Sequence, residues 1–165
     1  WCRICNEMLV GRRPLRIIRA MSTPMPVTAE NTARARQILE QHGIRPTSQR
    51  LQVAEILLTA PRHVTAEQIL ATLRQSTGHV SKATVYNTLN LFVEQGLARE
   101  IHADPERCVY DSTMTPHHHF QNVNTGEMID IRPEDLSFAR LPPLPPGTEI
   151  ESVDGVIRLR RRDRA

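Results

Sequence analysis

The sequence is poor in aromatic residues: one Trp, two Tyr and three Phe among 165 residues. Any core must therefore be built from Leu, Ile, Val and Ala. Cysteine is scarce too. Cys2, Cys5 and Cys108 are too few for a disulfide framework, so a reducing, cytoplasmic setting is expected. Cys2 and Cys5 form a C-x-x-C, but no second Cys or His pair follows at finger-like spacing. No apolar run approaches the length that spans a bilayer, so a membrane is not an expected partner. Neither a His-Glu-x-x-His nor a nucleophile–base constellation is present, and an enzyme is not expected. Lysine is nearly missing, with Lys82 as the single instance.

The net charge of +3 is unevenly spread. Residues 1–27 carry +4, residues 28–104 only +1, residues 113–157 carry −5 and residues 158–165 carry +4. An acidic stretch that also holds histidines suits cation binding better than contact with DNA. Residues 1–27 begin at Trp1 and show neither a continuous apolar core nor a small-residue cleavage site. They are read as a disordered or upstream-translated leader and left out of the fold.

From Thr28 the chain reads as helical. Ala29, Ala33, Ile38 and Leu39 give a first helix to Gln41, with Gly43 at a left-handed cap. Thr47 caps a second helix running to about Ala60, and Pro61 stops it. Thr65 starts a third, with Gln68 three residues on as in a capping box. Ser81 caps a fourth through Gln95, whose Val85, Leu89, Phe92 and Val93 form one stripe. Strand-like runs follow at Leu97–Ala103, Cys108–Asp111, Phe120–Val123 and Met128–Ile131. Asp154-Gly155 between Glu149–Val153 and Val156–Arg160 predicts a hairpin. The expected fold is α+β: a winged-helix domain over 28–112, then a small α/β dimerisation and sensing domain over 113–165. The second unit is too short to bury much surface alone, so a homodimer is expected.

Two clusters carry chemistry. The helix beginning Ser81-Lys-Ala-Thr-Val-Tyr-Asn-Thr88 leaves Lys82, Thr84, Tyr86, Asn87 and Thr88 outside or flanking its core stripe. Those side chains offer a phosphate-binding cation, hydroxyls, an aromatic face and an amide that pairs with adenine. Arg45 and Arg50 near the preceding helix start could grip phosphates. An ordinary solvated helix face is the plain alternative. The second cluster is His117-His118-His119. On a strand His117 and His119 share one face and His118 points away. Two imidazoles near carboxylates can begin a site for a first-row metal or an iron porphyrin, and a solvated polar loop is the plain alternative.

Three segments together resemble the ferric uptake regulator family: Gly43-Ile-Arg-Pro-Thr-Ser-Gln-Arg50, His63-Val-Thr-Ala-Glu67 and Ser81-Lys-Ala-Thr-Val-Tyr-Asn-Thr-Leu89. The resemblance implies a winged-helix DNA-binding domain, a C-terminal dimerisation domain and metal-dependent repression at a palindromic, A/T-rich double-stranded operator. The DNA-binding set read from the residues is Arg50, Lys82, Thr84, Tyr86 and Asn87, and the resemblance implies that Tyr86 and Asn87 contact the bases. It implies His63, Asp111, His117, His119 and Asp130 as metal ligands, with Asp standing where Glu is common. The structural-zinc C-x-x-C of many members is replaced by Asn122-Val-Asn-Thr125, so no structural zinc is expected there. Within the family, Tyr110-Asp111, the His triplet and the Pro-rich run 141–146 resemble the iron response regulator branch. That likeness implies control of heme synthesis and iron homeostasis through heme on His117, His118 and His119, or through Fe(II). The alternative is a zinc-, manganese- or peroxide-sensing regulator of the same family without heme.

Overall fold

The structure is a computed structural model, and it describes residues 28–60, 62–76, 80–104 and 107–160. The leader 1–27 and its C-x-x-C lie outside the described residues.

All four α-helices among the described residues start where side chains replace missing backbone partners. Helix α1 (Ala29–Gln41) is capped by Thr28, whose hydroxyl accepts from the Asn31 N–H at 3.2 Å. Helix α2 (Ser48–Leu57) is capped by Thr47. It stops short of Ala60. The strand β1 (His63–Thr65) then leads directly into α3 (Ala66–Ser76). The expected capping box forms there: the Gln68 N–H donates to the Thr65 hydroxyl at 3.2 Å, and Gln68 Oε1 accepts from the Thr65 N–H at 2.8 Å. Ser81 caps α4 (Lys82–Glu94). Gly43 and Gly96 both have φ near +67°, where an L side chain would be strained, and each turns the chain out of a helix.

The stripe Val85, Leu89 and Phe92 is fully buried against Leu39, Val53, Leu57 and Ile69, as the helical spacing predicts. Thr88 also turns inward, 5% exposed, and so leaves the surface set expected for α4. Chain reversal after Gly96 produces β2 (Arg99–Asp104) and β3 (Arg107–Asp111). Strand β3 lies in the centre of an antiparallel sheet of order β1-β3-β2.

A second sheet has the order β5-β4-β6, from β4 (His118–Asn122), β5 (Met128–Ile131) and β6 (Val156–Leu159). Two expectations are corrected here. No strand forms over 149–153, and β6 instead adds parallel to β4. The reason lies at Gly155: it does not adopt positive φ, which the tight Asp-Gly turn demands, and its carbonyl accepts from His119 N at 2.8 Å. The Asp154-Gly155 pair is thereby bound to β4 and does not form a turn. Second, this unit is not α/β. Among the described residues after β3 the only helical element is one 3-10 turn, Pro133–Asp135. No described helix is long and apolar enough to cross a membrane.

Candidate metal centre

The two sheets place two rows of side chains against each other. Across the first sheet, Asp111 of β3 stands in register with His63 of β1 on one side and Arg99 of β2 on the other. Registered residues share a face and lie close enough to touch. Across the second sheet, His119 of β4 is in register with Asp130 of β5. His117, in the link between β3 and β4, joins them.

All five ligand candidates therefore meet. His63 Nε2 lies 3.0 Å from Asp130 Oδ1 and 3.6 Å from Asp111 Oδ1. His117 Nε2 lies 3.2 Å from Asp111 Oδ2 and 3.3 Å from Asp130 Oδ1. His119 Nε2 is 3.7 and 3.8 Å from the same two oxygens. The ring centroids of His117 and His119 are 4.5 Å apart, those of His63 and His119 5.0 Å. Asp111 and His119 are essentially without solvent contact.

Inside this cluster, His63 Nδ1 and Nε2, His119 Nε2 and Asp130 Oδ1 are buried with no hydrogen bond. Buried polar atoms without partners are costly and uncommon. Donors spaced about 3 Å apart are what bonds of about 2.0–2.2 Å to one ion require. The set of three imidazoles and two carboxylates fits a divalent first-row cation. Surrounding bonds prepare the donors. His117 Nδ1 is 2.7 Å from the Thr115 carbonyl, which fixes a proton there and turns Nε2 toward the cluster. The Thr113 N–H donates to Asp111 Oδ1 at 2.8 Å.

The electrostatics follow from the same contacts. Burial pushes the Asp111 carboxyl up, but His117 and His119 beside it and the Thr113 N–H outweigh burial and hold it far below the carboxylate range. Asp130 is likewise depressed, against burial, by His117 and His63. Burial favours neutral His117, yet Asp111 and Asp130 raise it to about 9. His119 goes the other way because burial dominates.

The third histidine leaves the group. His118 points to the opposite face, accepts the Gly155 N–H at Nδ1 (3.1 Å) and packs edge-on to Phe138 at 5.6 Å. The alternation of a strand predicts this split. Arg99 is the residue that sequence reasoning missed. Its register opposite Asp111 was the available signal, and that register needs the β2–β3 pairing to be known.

The nucleic-acid candidates lie apart from this cluster. Lys82 and Asn87 are exposed on the first turns of α4, and Thr84 and Tyr86 are half-buried. Lys82 Nζ sits 5.4 Å above the Tyr86 ring, and the Tyr86 hydroxyl donates to Glu67 at 2.6 Å. Arg50 donates to the Arg45 carbonyl at 3.2 Å. Asn122 and Thr125, at the positions of the absent C-x-x-C, form a turn in which Asn122 Oδ1 accepts two N–H groups.

A model of the ferric uptake regulator family matches residues 41–140. The chain is 32% identical over 105 residues to the peroxide operon regulator of Bacillus subtilis, covering 64% of this chain and 72% of that one. It is 29% identical over 99 residues to a peroxide-responsive repressor of Staphylococcus aureus, covering 60% and 67%. Among solved structures, the ferric uptake regulator of Pseudomonas aeruginosa with manganese superposes with a TM-score of 0.58 at 24% identity, covering 78% of this chain and 98% of that one. A zinc uptake regulator complexed with zinc and DNA gives 0.50 at 20% identity, covering 82% and 93%. The matched span takes in α2, α3 and α4, strands β1 to β5 and all five converging donors, and the chain belongs to the ferric uptake regulator family.

Proposed function

We propose that the protein is a homodimeric repressor that reads a divalent metal ion, Fe(II) or Mn(II), at the site formed by His63, Asp111, His117, His119 and Asp130. The observation that carries this is the group of buried imidazole and carboxylate atoms of His63, His119 and Asp130 without hydrogen-bond partners, converging from β1, β4 and β5. Zn(II) accepts the same donor types, and the relatives named for peroxide response make a redox-active metal the preferred reading. Bound, the ion supplies charge that ties the two sheets together.

Heme is not retained in the proposal, nor is membership of the heme-responsive branch. His117, His118 and His119 are 5%, 7% and 2% exposed, and they point to two different faces. Imidazoles packed 4.5–5.0 Å apart leave no plane for a porphyrin.

Residues 28–112 are read as the winged-helix DNA-binding domain and 113–165 as the dimerisation and sensing domain. Helix α4 would enter the major groove, with Lys82 on phosphate, Thr84, Tyr86 and Asn87 toward the bases and Arg50 on the backbone. The zinc uptake regulator with DNA supports that use of the fold. The exposed Ile157 and Leu159 on the edge strand β6 supply an apolar surface for a second copy. The test is selection from random duplex DNA with and without Mn(II). Enrichment of an A/T-rich palindrome only with metal is expected, and Asn87→Ala should reduce binding to that palindrome far more than to unrelated duplex. Enrichment indifferent to metal in the wild type sinks the reading.

A further inference from the structure

We propose that Arg99 is a resident cation of the metal site, which holds the ligands when metal is absent and competes with the ion for them. The inference rests on the metal-site reading above.

The geometry is specific. Arg99 is the third member of the row His63–Asp111–Arg99 across the first sheet, so strand register aims it at the cluster. Its Nε donates to Asp111 Oδ2 at 2.9 Å. Its Nη2 lies 2.8 Å from His117 Nδ1 and 2.9 Å from His117 Nε2, against the ring. Arg99 thus pairs with one of the five proposed ligands at an oxygen that faces the centre and lies against a second. Asp111 is fully buried, and in the metal-free protein a paired carboxylate is far cheaper than a lone one.

Arg99 also has somewhere to go. Its Nη1 already lies 3.3 Å from Asp154 Oδ1, whose side chain is 55% exposed. Asp154 precedes Gly155, which is fastened to His118 and His119 by its own N–H and carbonyl. When the ion takes Asp111 and His117, Arg99 stays on Asp154 and leaves the other two. The guanidinium sets the metal concentration at which the site fills, because every binding event must displace it and a divalent ion beside it meets like charge.

The test is Mn(II) titration of the wild-type chain, Arg99→Gln and Asp154→Asn, read by calorimetry and by thermal unfolding of metal-free and loaded protein. Arg99→Gln is expected to bind Mn(II) at least about tenfold more tightly and to lower the melting temperature of the metal-free form only. Asp154→Asn removes the alternative partner from an exposed position, and is expected to weaken Mn(II) binding about two- to threefold. Unchanged or weaker binding in Arg99→Gln overturns the proposal while leaving the metal site standing, since Arg99 would then be a bystander or a support for the loaded state. Absence of saturable Mn(II) binding in the wild type overturns the metal site and this proposal together.

Discussion

The helical region and the candidate metal centre are built on opposite principles. In the helices, buried positions are apolar and their spacing is local: Val85, Leu89 and Phe92 follow one another along one face of α4. In the metal centre, buried positions are polar and their partners are remote: His63, Asp111 and Asp130 are brought together from β1, β3 and β5. The first region draws its stability from transfer of apolar surface from water. The second leaves buried donors without hydrogen-bond partners, which is costly without a cation. The joint between the two sheets is therefore where an added ion changes the molecule most.

Four experiments sharpen this contrast. The largest effect on stability should come from Phe92→Ala, which empties the centre of the helical core and should cost about 3–5 kcal/mol by chemical denaturation. A loss near zero would mean that the helices do not share one core. Next, His119→Ala should weaken Mn(II) by on the order of a hundredfold while the metal-free protein keeps its helical circular dichroism. Wild-type affinity in that variant would remove His119 from the ligand set.

Acidity gives the third effect. His117 is raised to about 9 in the metal-free protein, so the stability it gains from its carboxylate partners is full below about 6.5 and fades as pH rises through 9. A metal takes the neutral ring, so binding expels that proton. Mn(II) affinity should climb by up to about tenfold per pH unit from 7 toward 9, with proton release in calorimetry. A flat profile would mean that the ring is neutral before metal arrives. The smallest effect should be Thr65→Ala, which breaks the capping box of α3 and should cost about 1 kcal/mol. Because Thr65 also ends β1 two residues after His63, any accompanying change in Mn(II) affinity would reveal how firmly the helix start seats that ligand.

Much of the fold was legible because its signals are short-range. Thr28, Thr47, Thr65 and Ser81 stand at or just before the helix starts they predict, and Gly43 and Gly96 turn the chain after α1 and α4. The candidate ligand set could be named only through the family likeness. Alternation separates His118 from His117 and His119, but nothing local says that Asp130 will face His63.

What the sequence by itself determined is therefore the helices, their caps and the inward stripe of α4, since each depends on neighbours within about four residues. Only the tertiary structure decided the role of the Asp154-Gly155 pair. The local signal favoured a tight turn, but pairing of Gly155 with His119 replaced it by a parallel strand. Likewise, only strand register put Arg99 beside Asp111, twelve residues away in sequence and one strand away in space. Register is set by pairing across the sheet, which no window along the chain contains.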